Sequence, residues 1–289
     1  MTTVNIIGNI KGGTGKTTSA VNVVAWFAEL GKKTLLIDLD PQCNATDYFL
    51  DIEEVERTDR HITTMFERED VKASDLVWAT SSKNLDIIPA TSYLHEVNES
   101  YLNVADYWLR LHDMLSQVKK RNEYEIIVVD THPARDLCLY NALIAGDNLI
   151  IPLSAQRHPL HGCDQMWLAL KRVRRFNRSI RVLGFVVTSY QEKRDSKRLE
   201  KIESYAKKIK PDPRNAGFDI LAKIKKSDRY ATSMEEQVPL AWSHPTEETS
   251  QNYRDLAISL LEFQTGRRAA RSQKIPEVTR TPRVGASAR

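Results

Sequence analysis

Ten residues near the start of the chain, Asn9-Ile10-Lys11-Gly12-Gly13-Thr14-Gly15-Lys16-Thr17-Thr18, combine glycines, lysines and hydroxyls at spacings suited to holding phosphate. Gly12, Gly13 and Gly15 let backbone N–H groups curl around phosphate oxygens, which a Cβ would obstruct. Lys16 brings a full positive charge to the β- and γ-phosphates, and Thr17 is placed to offer its hydroxyl to Mg²⁺. Thr14 and Thr18 complete the cradle. The usual pattern has glycine where Ile10 stands, and this chain has a second lysine, Lys11, in addition. One nucleotide's phosphates do not need both lysines. Lys11 is either a solvated surface charge or a cation aimed outward, across an interface, at a nucleotide held by a second subunit.

The flanking elements supply the context that such a loop requires. Val4 to Ile7 reads as a short buried strand, and Ser19 to Leu30 places Val21, Val24, Ala25, Ala28 and Leu30 at helical spacing. The helix N-terminus adds partial positive charge at the loop. A plain glycine-rich turn between strand and helix is the bland alternative.

Carboxylates end two further apolar runs. Thr34-Leu-Leu-Ile leads into Asp38-Leu-Asp40-Pro-Gln42, and Tyr124-Glu-Ile-Ile-Val-Val leads into Asp130. Acids at the carboxyl ends of buried strands sit where open α/β sheets bind ligands. Asp38 and Asp40 flank one leucine and project to the same side of an extended chain, with Mg²⁺ and water as their natural partners. Asp130 has the form of a Walker B aspartate. The competing readings are a polar strand end before a proline turn and a core strand closed by a capping acid.

Together these motifs resemble the ParA/MinD family, whose deviant Walker A loop matches Lys11-Gly-Gly-Thr-Gly-Lys-Thr-Thr18, with the ParA-type partition ATPases as the closest branch. The similarity spans about Val4 to Phe263. It implies ATP and Mg²⁺ as cofactors, bound at Lys11 to Thr18, with Thr17, Asp40 and Asp130 serving the metal. It assigns Lys11, Lys16 and Asp40 to catalysis, Asp40 by positioning or activating the attacking water, with Asp38 supporting the same switch region. The resemblance further implies an ATP-dependent homodimer in which each Lys11 reaches the other subunit's phosphates. Hydrolysis would be slow until a ParB-like, centromere-bound adaptor completes the site. Non-specific DNA binding would use phosphate contacts, for which Lys197, Arg198, Lys225, Lys226 and Arg229 are candidates. Adenine contacts fall in the loops after the last two strands.

The chain also departs from the family. Asp-Thr-Pro-Pro is usual after the Walker B strand, and Asp130-Thr-His132-Pro stands here; His132 reads as a tolerated substitution rather than a base. Members often carry an N-terminal helix-turn-helix that represses their own operon. The loop here begins at residue 9, so neither that module nor sequence-specific repression is expected. A MinD-like membrane anchor needs a C-terminal amphipathic helix, but beyond Arg267 only Ile275, Val278 and Val284 are sizeable and apolar, interrupted by Pro276 and Pro282. No membrane association is expected. A relative of the nitrogenase iron protein would need paired cluster cysteines, and Cys138 alone lies near the nucleotide motifs.

Composition fits this reading. The chain has 289 residues, 28% charged and 41% apolar, with three cysteines, Cys43, Cys138 and Cys163, that form no metal-ligand spacing and suit a reducing cytoplasm. No signal peptide is expected, and no apolar run reaches the roughly 20 residues of a membrane span. The net charge of +4 hides an asymmetry: from Thr265 onward there are seven basic residues and one acid, which leaves 35 basic against 37 acidic residues in the preceding body. Any nucleic-acid affinity therefore comes from local patches or the tail.

Strand and helix signals alternate along the body. Further strands are expected at Leu85–Pro89, Leu149–Leu153, Arg181–Ser189 and Ile220–Ile224, with helices over Val104–Val118, Gly162–Phe176 and Thr249–Phe263 and short helices and loops over 51–82. The basic end of the second of these helices, Lys171 to Arg178, complements a helix dipole. The expected fold is one α/β domain over residues 1–264, a mostly parallel, doubly wound sheet flanked by helices, of P-loop NTPase type. Residues 265–289 form an Arg-rich tail expected to be disordered.

Overall fold

The computed structural model describes residues 2–155, 160, 162–209 and 218–266. Eight strands form one sheet: β1 (Thr3–Ile7), β2 (Thr34–Leu39), β3 (Trp78–Ala79), β4 (Leu85–Ile88), β5 (Ile126–Thr131), β6 (Asn148–Ser154), β7 (Arg181–Tyr190) and β8 (Asp219–Lys225). Their order is β3-β4-β2-β5-β1-β6-β7-β8. Every pairing is parallel except that of β3 with β4. The continuous apolar runs of β2, β5 and β6 are buried along their whole length, as a parallel sheet covered on both faces demands.

Two helical layers cover the sheet. On one face lie α1 (Lys16–Glu29) and the C-terminal helix Glu248–Gln264, whose Tyr253, Leu256, Ala257 and Leu260 pack with the buried side of α1. The other face carries the helices Arg110–Arg121, Leu137–Ala145, Cys163–Val173 and Glu192–Lys208. The helix Leu137–Ala145 has all nine residues buried. It lies between neighbours on every side and shows no amphipathic stripe.

Three local details differ from the expectations. A 3₁₀ turn, Ala105–Leu109, precedes the helix Arg110–Arg121 where one helix from Val104 was expected. There the Trp108 indole N–H donates to the carbonyl of Leu102 at 2.8 Å, and the Tyr101 and Tyr107 rings stack at 4.0 Å, which together fix the tighter turn. The helix expected from Gly162 to Phe176 spans Cys163–Val173, because Gly162 holds φ +104° ahead of it. The loop-rich stretch 51–82 contains, besides short helices, the antiparallel strand β3. Nearly all of the Arg-rich tail lies outside the described residues. Among the described residues no helix is long and apolar enough to cross a membrane.

Candidate nucleotide-binding site

Parallel register brings the functional strand ends level. Ile7 of β1 and Asp38 of β2 both pair with Asp130 of β5, so the loop after β1 emerges beside two carboxylates. That loop, Gly8 to Gly15, turns directly into α1, whose first residue is Lys16. Gly13 at φ +67° and Gly15 at φ +81° adopt the left-handed conformation that makes the turn possible. A Cβ on Gly15 would also stand 3.2 Å from the Thr188 methyl group.

Distant side chains brace the loop. Asn9, wholly buried, donates through Nδ2 to the Pro152 carbonyl at 2.7 Å and accepts the Lys11 N–H at 3.0 Å. The Thr188 hydroxyl, at the end of β7, donates to the Thr14 carbonyl at 2.8 Å. Gly162 lies against the loop's base, where an added Cβ would meet Asn9 Oδ1 at 3.0 Å and Lys11 Cβ at 3.1 Å. Sequence reasoning missed all three as site residues. Asn9 and Thr188 each have an ordinary polar identity, and the one usable signal was their position just beyond or at the carboxyl end of a strand.

The two lysines part company. Lys16 is buried, its Nζ 3.3 Å from the Lys11 carbonyl oxygen, and it borders a cavity of about 340 Å³ with Thr17, Thr18, Asp40, Gln42 and His132. Burial holds its ammonium below the ordinary lysine value, while Asp130 and Asp40 pull in the other direction. Lys11 is half-buried and borders a second cavity of about 520 Å³, with Ser154, Ser189, Gln191, Arg198 and Lys226. Gly12 and Gly13 line that cavity too, and a Cβ on either would meet no protein atom within 4 Å.

The three aspartates have different surroundings. Asp38 is wholly buried and accepts the Asp40 N–H at 3.0 Å, the Thr46 N–H at 2.9 Å and the Thr46 hydroxyl at 2.8 Å. Burial nevertheless lifts its pKa to about 6. Asp40 lies near the surface of the Lys16 cavity and accepts the Gln42 N–H at 2.9 Å. Asp130 is wholly buried, accepts the Thr131 N–H through Oδ1 and interacts with the Thr17 hydroxyl. Its Oδ2 has no hydrogen-bond partner, and burial, followed by the Asp38 charge, raises its pKa well above the carboxylate range.

A buried, unpartnered carboxylate oxygen beside a threonine hydroxyl suits a hard cation. Among the described residues no group of three or more His, Cys, Asp or Glu side chains could hold a metal alone. A cation here would draw its remaining ligands from substrate and water, the usual habit of Mg²⁺.

His132 borders the same cavity, and its Nδ1 lies 3.0 Å from Asp136 Oδ2. Asp136 also caps the helix Leu137–Ala145 by accepting the Leu139 N–H. The hydrogen bond to Asp136 raises the His132 pKa. Cys138 is fully buried in the core, and burial keeps its thiol protonated.

The five basic residues suggested for DNA divide among different surroundings. Arg198 is ion-paired with Asp195 at 2.5 Å and shares the Lys11 cavity with Lys226. Lys225 is paired with Glu248 at 2.5 Å. Lys197 borders a separate hollow with Lys201 and Lys208, while Arg229 is exposed at the start of the short helix Arg229–Glu235.

Comparison with known proteins agrees with this geometry. Residues 2–182 match the family described as "AAA domain". The sporulation initiation inhibitor protein Soj of Bacillus subtilis is 34% identical over 184 residues, 63% of this chain and 70% of that protein. The chromosome partitioning protein ParA of Myxococcus xanthus is 31% identical over 207 residues, 70% of this chain and 71% of that one. Among solved structures, cobyrinic acid a,c-diamide synthase from Mycobacterium smegmatis with a bound ATP analogue and magnesium superposes with a TM-score of 0.76 at 22% identity, covering 92% of this chain and 97% of its own. A deviant phosphate loop at the head of a parallel sheet, with Soj and ParA proteins as sequence relatives, places this chain in the AAA-domain family as a ParA/Soj-type P-loop ATPase.

Proposed function

We propose that the protein is a Mg²⁺-ATP-driven partition switch. ATP sits with its phosphates along Lys11 to Thr18. Gly12 and Gly13 leave room for phosphate oxygens, and Lys16 neutralises the β- and γ-phosphates. Thr17 and Asp130 hold the metal with Asp40 at its edge; when bound, Mg²⁺ neutralises charge developing on the phosphate oxygens. Asp40, on the rim of the same cavity, orients the attacking water.

The observation that carries this reading is that Lys11 and Lys16, five residues apart on one loop, border different cavities. One lysine is committed to the home nucleotide, and the other reaches a second subunit's phosphates once two ATP-bound chains close face to face. Closure excludes water and completes the site, so turnover is slow until a ParB-like adaptor assists. The closed dimer binds DNA without sequence preference and works on the nucleoid in the cytoplasm, segregating a plasmid or chromosome locus.

The test is ATP turnover and oligomeric state, with and without non-specific duplex, in wild type, Lys11→Ala and Asp40→Ala. Asp40→Ala should keep ATP-dependent dimers and DNA binding while losing turnover. Lys11→Ala should be defective in dimerisation or turnover; normal behaviour in both refutes the shared site.

A further inference from the structure

A hollow of about 400 Å³ lies at the far end of α1 from the phosphate loop, lined by Trp26, Glu29, Ser81, Ser82, Trp242 and Pro245. The fourteen residues of α1 put roughly 20 Å between it and Lys16. The nucleotide-binding site uses none of these residues.

The hollow is firmly braced. Asn84 Nδ2 donates to the Ala28 carbonyl at 3.0 Å and holds the β3–β4 turn, with Ser81 and Ser82, against α1. The Leu240 N–H donates to Asn22 Oδ1 at 2.9 Å and anchors the short helix Leu240–Ser243. That helix carries Trp242, whose ring meets Phe49 edge-on at 5.8 Å.

Its chemistry suits a cation. Glu29 is exposed, makes no ion pair among the described residues and is the only charged side chain in the lining. It stands in the last turn of α1, which holds no basic residue to complement the partial negative charge of the helix C-terminus. The two lysines that follow are committed elsewhere, Lys32 to Glu125 at 2.9 Å and Lys33 to Asp86 at 2.6 Å. Trp26 and Trp242 supply aromatic surface of the kind on which a guanidinium stacks, and that of Arg254 already lies 6.0 Å from the Trp26 ring. Neither indole N–H has a hydrogen-bond partner, which favours an occupant that brings carbonyl acceptors along with its cation. An arginine-bearing peptide has both, whereas Glu29 repels a polyanion.

The occupant follows from where the described chain ends. Gln264 Nε2 donates to the Glu125 carbonyl at 3.1 Å, and Glu125 is the residue whose carboxylate holds Lys32, three positions past Glu29. The C-terminal helix therefore stops at the same edge of the sheet as the hollow. From Arg267 onward the sequence has seven basic residues and one acid. Extended chain spans roughly 3.3 Å per residue, so the segment from Arg267 to Arg289 has ample reach along that edge.

We infer that the hollow between Trp26, Glu29 and Trp242 is a guanidinium site for the Arg-rich segment 267–289 of the same chain. Tethering presents that segment at an effective concentration on the order of millimolar, so a contact too weak to retain a free peptide is still occupied. The site rests on this surface alone and does not depend on the switch proposed above.

The experiment is limited trypsinolysis of nucleotide-free full-length protein, with cleavage after Arg267, Arg268 and Arg271 timed by mass spectrometry. Glu29→Gln should speed those cuts by about two- to fivefold, the range of an exposed ion pair. Trp242→Leu removes stacking surface and should speed them at least as much. Cleavage within the body and DNA-free ATP turnover should be unchanged in Glu29→Gln, an exposed position outside the core. Where Trp242→Leu also loosens the body, Glu29→Gln alone decides. Equal tail cleavage in wild type and Glu29→Gln overturns the inference. So does protection that disappears on dilution, which assigns the hollow to a second copy's tail. Failure of the ATP switch would appear instead in Lys11→Ala.

Discussion

Thr188→Val tests whether the phosphate loop is held in shape from outside. Valine matches threonine in volume and in β-branching, so the methyl against Gly15 is retained and the hydroxyl alone is lost. That hydroxyl donates to the Thr14 carbonyl at 2.8 Å, and Thr14 is 1% exposed, so its oxygen has no ready access to water. Leaving a buried acceptor without its donor costs about 1–3 kcal/mol. The cost falls on the loop conformation that the nucleotide needs, since the metal-free, ATP-free loop can relax. Allowing for that relaxation, about 1–2 kcal/mol should appear in ATP binding, a rise in Kd of roughly 5–30-fold. Isothermal titration or a fluorescent ATP analogue reads the affinity, and a melting curve reads the fold. A Kd within twofold of wild type, with or without a lower Tm, refutes the idea that Thr188 shapes the loop.

Other consequences follow from the same contacts. Asp130 must be ionised to bind Mg²⁺, and its pKa is raised, so a proton is released on binding and Mg²⁺ affinity should climb with pH, by at most about tenfold per unit, and flatten in Asp130→Asn. The sign for the metal-free fold is opposite: a raised folded pKa gives stability that is present at acid pH and lost as pH rises, so stabilisation by Mg²⁺-ATP in melting experiments should grow with pH. Gly146→Ala places a Cβ 2.5 Å from Ile6 Cγ1 in the core and should cost about 1–3 kcal/mol in chemical denaturation. Ile6→Ala, itself costly, should couple favourably with it in a double-mutant cycle; strict additivity would place the clash elsewhere.

What the sequence makes legible is what chain connectivity fixes. Lys16, Thr17 and the glycines are neighbours along a strand-loop-helix unit, so their spacing alone carries their geometry. Asp40 and Asp130 end apolar runs, and the rule that parallel sheets bind ligands at their carboxyl edge places them. Asn9 and Thr188 escape because their roles lie in contacts 143 and 174 residues away in sequence. Gly162 reads as a helix start, although its lack of a side chain also admits Lys11 and Asn9. The helix Leu137–Ala145 is hidden for a different reason, since burial on every side erases the period that would reveal it. The His132–Asp136 pair is visible as an i,i+4 spacing, but only the fold turns that spacing toward the cavity.

Asp38 and Asp130 show why position alone does not assign chemistry. They are cross-strand partners, level in the sheet, both wholly buried and both raised in pKa chiefly by burial. Their hydrogen bonds separate them. Asp38 has donors on both oxygens, two of them from Thr46, whose hydroxyl in turn accepts the Ala90 N–H. This network ties the end of β2 to the short helix Asn44–Asp47 and to the chain beyond β4, fixing the segment that carries Asp40. Asp130 has Thr131 and Thr17 near it, yet one oxygen keeps no donor. Burying an unpaired carboxylate is costly unless something later supplies positive charge. The neighbouring Lys16 lies close enough to interact with it, although burial disfavours the lysine's charged form while Asp130 and Asp40 favour it. The incomplete pairing of Asp130, against the complete pairing of Asp38, is what suits the first to the metal-ligand role proposed for it and the second to that of a brace.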